Sequence, residues 1–457
     1  MHVSKFAWIK YHHNVVESTR HFMHKPWAGG VVLLISVAVA MLLANLEWSK
    51  HIYHQLLTTD LSLLIHIPSD NIDIIFPKEM NLEKLINDGL MVIFFFCVGL
   101  EIKREVMHGE LSSPRKAILP VMAAIGGMVV PAIIYYAVNN GTSVELGWGI
   151  PMATDIAFAI GILTLLGNRV PISLKIFLTA LAIADDLGAI IVIALFYGGS
   201  INLTYLSIAL AIMLIVLAMN QLGERHQIFY VVPAVAVWSL FYYSGVHATL
   251  AGVAMAMLIP SNARYSKQYL FRNTALLATK MSNETDVCSE HYHEYLRQMQ
   301  RLTKGAVPMS VQLELALAPI VTFIVMPVFA LANAGVEIDL GQLNILKYSA
   351  TEGSIGIGIL LGLLFGKPIG ITLMSWLAVR FGLAEMPTNS SWKMLFAVAT
   401  LGGIGFTMSI FIDTLAFFSV NMAYVNQGKI AIIFSSFAAA ILGVILILLL
   451  SRKSRIK

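Results

Sequence analysis

The sequence predicts an all-α protein that crosses a membrane about twelve times. Three observations carry this. Of the 457 residues, 58% are hydrophobic and only 12% are charged, whereas a soluble globular chain holds roughly 45–50% apolar and about 25% charged residues. The apolar residues gather in runs close to the ~20 residues that cross a bilayer as one helix. Two of these runs are interrupted at their middles by glycine or proline, and a few charged residues lie inside others. Twelve spans use roughly 240 residues, so residues 1–457 read as one integral membrane domain with a transmembrane region over 28–450.

Taken in order, the chain opens with a polar stretch, and the first apolar run begins near Ala28. It reads as a first transmembrane helix, not a cleaved signal, because many more spans follow. The spans are 28–46, 85–100, 117–138, 148–167, 172–197, 203–219, 228–243, 247–260, 313–334, 354–379, 394–414 and 430–450. The second and eighth are short. Residues 47–84 form a long loop whose LSLLIHI and NIDIIF stretches suggest a hairpin or a surface helix. Residues 261–312 form a long polar loop, and EHYHEYLRQMQRL within it has the charge pattern of a surface helix.

Orientation follows from the lysine and arginine bias of loops. With the N-terminus inside, 24 of the 30 Lys and Arg fall on the cytoplasmic side. Lys50, Lys78, Lys84, Lys347 and Lys429 fall outside, and Lys367 lies within a span. Both termini are therefore expected in the cytoplasm. A net charge of +4, dispersed along the chain, gives no reason to expect nucleic acid. Two cysteines, Cys97 and Cys288, cannot build a disulfide framework. Cys288, His291 and His293 make CxxHxH, which reads as solvated loop in preference to a metal site.

The charges singled out within spans are Asp88, Asp155, Asp185, Asp186 and Lys367. An ionised group at the bilayer centre costs at least about 2.5–3.5 kcal/mol, so such residues mark a pathway or pair with one another. Asp185 and Asp186 stand mid-span in LAIADDLGAII. Successive helical residues point about 100° apart, so the two cannot share one structural partner but can flank one cavity. Adjacent carboxylates out of water are suited to trading a proton for a cation. Asp155 sits in WGIPMATDIAFAIG, broken by Gly149, Pro151 and Gly161; its counterpart ATLGGIGFTMSIF is broken by Gly402, Gly403 and Gly405. Two interrupted spans in matching places of two halves point to a transporter site near the midplane. Lys367, in LLFGKPIGI, is too deep to snorkel, and Asp185 or Asp155 are its available partners. Asp88 stands near the outer start of its span.

At these residues the sequence resembles a known family. ATDIAFAIG, ALAIADDLGAIIVIALFY, SGVHATLAG, ALANAGV, FGKPIGI and GIGFTMSIFI, in this order, are similar to the bacterial NhaA sodium/proton antiporters. The similarity runs over about 85–418, apart from the 261–312 loop. The resemblance implies inverted-topology repeats with two broken helices crossing at the midplane. It makes Asp185 and Asp186 the site for sodium or lithium and for protons, with Asp155 and Thr154 at the crossing. Asp155 would offset the positive helix ends, and Lys367 the negative ends while pairing with Asp185. Asp88 would face the exit pathway. Glu101, Arg104, Glu105 and Glu314 would form a pH-sensing cluster, joined by His247. The hairpin after the first helix would be a homodimer contact. Leu315 and Ala318 replace histidines of familiar members, and the 261–312 loop is longer; both departures bear on the pH-activation profile.

The expected function is secondary active exchange, not an enzyme reaction: sodium leaves in exchange for external protons, without a cofactor, in a bacterial inner membrane. An intramembrane aspartyl protease would need one aspartate on each of two helices, and its presenilin-type GxGD run is absent; so are HExxH and a P-loop. A cation channel would carry ions uncoupled from protons.

Overall fold

The computed structural model of the protein describes residues 25, 27–61, 63–67, 72–76, 80–199, 201–284, 286, 289–337, 353–418 and 420–454. Helix α1 (Ala28–Asn45) leads into α2 (Glu47–Thr58) and a hairpin of β1 (Leu63–Ile67) and β2 (Ile72–Phe76). The strands are antiparallel, with Leu63 opposite Phe76 and Ile67 opposite Ile72. The 47–84 segment thus holds both the helix and the hairpin that its sequence left open.

The remaining elements are helical. They are α3 (Leu82–His108), α4 (Pro114–Asn139), a 3-10 segment (Glu145–Met152) continued by α5 (Ile156–Leu165), and α6 (Ile172–Phe196). Next come α7 (Leu203–Gln221), α8 (Ile228–Ser244), α9 (Thr249–Leu258), α10 (Lys267–Asn283) and α11 (Glu290–Ala306). The chain ends with α12 (Met309–Asn333), α13 (Ile355–Arg380), α14 (Trp392–Leu401), α15 (Phe406–Phe417) and α16 (Met422–Ser454). Among the described residues, nine helices are long and apolar enough to cross a membrane. The pair α14–α15, bent by 53°, makes a tenth, and α8 and α9 are shorter apolar helices. Each of the twelve apolar runs is thereby matched, and the chain is a multi-pass membrane protein. The faces of α7 agree: Leu214 and Ile215 are 65% and 60% exposed, a cost in water but not against lipid tails.

Two sequence expectations are corrected. The second span is not short; α3 runs for 27 residues, because Leu82–Lys84 and the polar Glu101–His108 continue the helix. Lys429 is not in an outer loop; it lies within α16 and is buried. The helix starts at Met422, ahead of the apolar run, so its polar first turns read as loop in the sequence.

Three spans contain a widened π-type turn: Leu85–Leu90 in α3, Val321–Val325 in α12 and Gly362–Gly366 in α13. Pro327 and Pro368 follow the last two. Proline has no N–H and its ring clashes with the carbonyl four residues back, and a wider turn relieves both. Such turns gather at functional positions; Asp88 stands in one and Lys367 directly follows another.

The contacts divide the chain into two compact units. The larger comprises 1–94, 105–199 and 319–457. Within it α4 packs closely along α13, where Gly126 and Gly370 meet. A Cβ on Gly370 would stand 2.1 Å from the Gly126 carbonyl oxygen, so only glycine permits this approach.

The smaller unit comprises 95–104 and 200–318. Its core joins Leu100, Val216, Tyr230, Phe241, Met255 and Met309. Lys103 Nζ donates to the carbonyls of Met257, at 2.7 Å, and Ile259, placing a cation on the C-terminal end of α9. The long polar loop is a helical pair: α11 covers the expected surface helix, and α10 precedes it. The excursion closes on itself, since Arg264 N donates to Gly305 O at 2.9 Å. Deleting 267–301 therefore leaves ends that already meet, and sodium/proton exchange by the inserted deletion protein is expected to persist. Loss of exchange with normal insertion in vesicles would make the pair part of the transport machinery. Cys288 of the CxxHxH stretch lies outside the described residues.

Candidate ion-binding site

The site grows from two spans that stop short. The 3-10 segment ends at Met152, and α5 begins at Ile156; α14 ends at Leu401, and α15 begins at Phe406. Backbone groups at such ends lack intrahelical partners, and lipid supplies none. Here each break supplies the other. Asp155 N donates to Ile404 O at 2.7 Å, and the single O–H of Thr154 is shared between Gly402 O, at 3.0 Å, and an acceptor on α6. The carbonyls of the 3-10 segment are met by side chains. Tyr197 reaches Leu146 O at 2.8 Å, Ser409 reaches Ile150 O at 2.9 Å, and Tyr135 reaches Val144 O, just before the segment, at 2.9 Å.

Asp155 serves two helix starts at once. Its Oδ1 accepts from Phe158 N, the first turn of α5, at 3.2 Å. Its Oδ2 accepts from Thr407 N, the first turn of α15, at 3.3 Å, and from Thr407 Oγ1. A carboxylate is favoured at the partly positive end of a helix, and here two such ends converge on one. Lys367 does the converse: its Nζ donates to Met152 O, the last carbonyl of the 3-10 segment, at 2.5 Å.

The first break presents Thr154 to α6, and α13 presents Lys367. Asp185 Oδ2 accepts from Thr154 Oγ1 at 2.8 Å and from Lys367 Nζ. Both charged side chains are fully buried. Asp185 Oδ1 is buried and has no hydrogen-bond partner among the described residues. Asp186, next in the chain, is 2% exposed. The site thus brings together Asp185, Asp186, Thr154, Asp155 and Lys367. Both oxygens of Asp155 are taken by helix ends, whereas Asp185 Oδ1, like Asp186 Oδ2, accepts no hydrogen bond among the described residues. An oxygen of this kind is a ligand for a hard cation.

The other sequence candidates lie elsewhere. Arg104 pairs with Glu314, which is 8% exposed, and stands 3.9 Å from Glu101. Glu105 belongs to the other unit, where its Oε2 accepts from Glu110 N at 3.0 Å. His247 is half-buried just before α9, and Asp88 is half-buried in the π turn of α3. Sequence reasoning missed Thr407, whose place in GIGFTMSIF is the only hint, and the carbonyls of Met152, Gly402 and Ile404. It also missed a buried acid: Asp413 lies inside α15 with no exposed surface.

The sequence profile of the Na+/H+ antiporter 1 family matches residues 20–447. The chain belongs to this family. A Na+/H+ antiporter NhaA 2 of Syntrophotalea carbinolica is 42% identical over 92% of this chain and 94% of its own length. The NhaA antiporters of Christiangramia forsetii and Oleidesulfovibrio alaskensis are 40% and 43% identical, over 96% and 95% of this chain and 96% and 94% of their own lengths. The matches thus cover most of the length of this chain and of each relative.

Proposed function

We propose that this protein is a secondary active transporter, not an enzyme, that exchanges sodium for protons. Membership of the family gives the exchange, and Asp185 Oδ1 carries the assignment of the site: it is a buried carboxylate oxygen without a donor, beside a second buried carboxylate. Sodium or lithium takes this oxygen together with Asp186 and the Thr154 hydroxyl. Protons take the same carboxylates when the cation leaves. One site that holds either ligand couples the two fluxes, and the proton gradient then drives sodium out through alternating access. No cofactor is needed for such an exchange.

Lys367 supplies the charge that holds Asp185 between these events, and Asp155 fixes the two helix starts. Asp88 serves the exit pathway. The lysine and arginine bias supports cytoplasmic termini, and membership of the family supports a bacterial inner membrane, with lipid around the spans. The two strands of the hairpin leave backbone edges that a second copy can pair with, which supports a homodimer. Addition of sodium, lithium or potassium to everted vesicles, with a pH-sensitive dye inside, tests the exchange. Sodium and lithium are expected to relieve quenching; absence of any sodium response contradicts the assignment.

Glu101, Arg104, Glu105, Glu314 and His247 are proposed to tune the response to pH. Charges near the entry change the local field, and salt weakens partly exposed ones. Glu314→Gln removes the carboxylate charge that pairs with Arg104 and is expected to shift the pH at which exchange switches on, with a small fall in maximal rate. A pH–activity curve that overlays the parent would remove Glu314 from the cluster.

A further inference from the structure

Beyond the helix crossing, α15 carries an acid that the exchange chemistry above does not use. Asp413 has no exposed surface, and neither of its carboxylate oxygens has a hydrogen-bond partner among the described residues. Gly428 of α16 lies directly against it, where a Cβ would stand 2.0 Å from Oδ1. The facing cation is Lys429 of α16, 5% exposed, which interacts electrostatically with Asp413 and with Glu83 of α3, itself 8% exposed.

The other titratable groups around α15 are already engaged. The hydroxyls of Tyr135 and Tyr197, both within electrostatic reach of Asp413, are committed to Val144 O and Leu146 O. Glu145, at the start of the packed 3-10 segment, accepts from Gly141 N at 3.0 Å, and Tyr424, in the first turn of α16, bonds Ser143 at 2.9 Å. The part of α12 that packs on α15, Met326–Asn333, carries no titratable side chain. Beside Glu83, the Tyr53 hydroxyl donates to Leu331 O at 2.6 Å, and Lys84 interacts with Asp88. That leaves two carboxylates and one ammonium in the cluster. Fully ionised, it holds one excess negative charge out of water, which is costly. One proton makes it neutral.

Six residues separate Thr407, at the Asp155 crossing, from Asp413 on the same helix, which is about 9 Å at 1.5 Å per residue. The charge bias of the loops directs α15 from the crossing to the outer side. We propose that Glu83, Lys429 and Asp413 form a second proton-holding site, on the outer side of the crossing, through which protons enter the exchange site. The inferred direction of transfer rests on the sodium/proton reading; the proton held at rest does not. A proton from outer water adds to a carboxylate oxygen of the cluster. When that O–H bond breaks, the proton passes towards the Asp185–Asp186 pair and the cluster regains its negative charge. Lys429 stays an ammonium throughout.

Infrared spectra of the purified full-length protein in detergent test the held proton by the stretch of protonated carboxyl groups. Asp413→Asn and Glu83→Gln each remove the excess charge, so each is expected to lose one protonated-carboxyl band. The double variant is expected to lose no second band. If either single variant keeps every band of the parent, or if the double variant loses two, the shared proton is refuted. Should Asp413→Asn fail to fold, Glu83→Gln carries the test alone. Proteoliposomes at fixed internal pH test the route: both variants should flatten the dependence of exchange on external pH. A profile that scales uniformly or overlays the parent would leave only a structural ion cluster. A parent without sodium/proton exchange would sink the functional reading instead, and the infrared result would stand apart from it.

Discussion

Asp185→Asn and Asp186→Asn are each expected to abolish sodium-dependent relief of quenching in everted vesicles, with the protein still present in the membrane. The amide keeps the size of the side chain and removes its charge. In Asp185→Asn, the amide oxygen can still accept from Thr154, yet the negative charge that faces Lys367 is gone. A hard cation then meets an amide oxygen beside an ammonium, and its binding is lost. In Asp186→Asn the second buried charge at the site disappears, and with it the competition between proton and cation. The effect on exchange is expected to be complete, because neither residue has a substitute nearby: Asp155 is committed to the starts of α5 and α15. Normal exchange by either variant, at parental protein levels, would move the site elsewhere.

Lys367→Ala is expected to cause the largest loss of stability among substitutions at the site. It strands Asp185 Oδ2 with the Thr154 hydroxyl alone and leaves Met152 O without its donor. Breaking one partner of a buried pair costs on the order of 3–5 kcal/mol, most of it from the charge left behind. The melting temperature in detergent should fall clearly. Lys367→Ala combined with Asp185→Asn should be less destabilised than the sum of the two, because the second change removes the stranded charge. Equal melting temperatures for the parent and Lys367→Ala would mean that the pair contributes nothing to the fold.

The fold was legible where its cause is local. A bilayer demands about 20 apolar residues per helix, so the spans stand out as runs, and Pro151 and the Gly402–Gly405 stretch mark the two breaks. Asp185, Asp186 and Lys367 were legible because charge in an apolar run is rare. What could not be read is backbone geometry between distant segments. Nothing in a one-dimensional sequence says that Asp155 N meets Ile404 O, or that Lys367 reaches the Met152 carbonyl. The cluster around Asp413 was hidden differently. Asp413 stands one residue before the end of its expected span, where an acid passes for a helix end. Lys429 immediately precedes an apolar run, where a lysine passes for loop. Only the early start of α16 at Met422 brings both into the interior.

The central claim is that sodium and protons compete for one pair of carboxylates. It is tested most directly by adding sodium to the purified protein in weakly buffered detergent solution and measuring proton release, with the Asp185→Asn, Asp186→Asn double variant alongside. The parent is expected to release protons on binding sodium, and the double variant to release none. Sodium binding by the parent with no proton release, or release of equal size by the double variant, would contradict the claim.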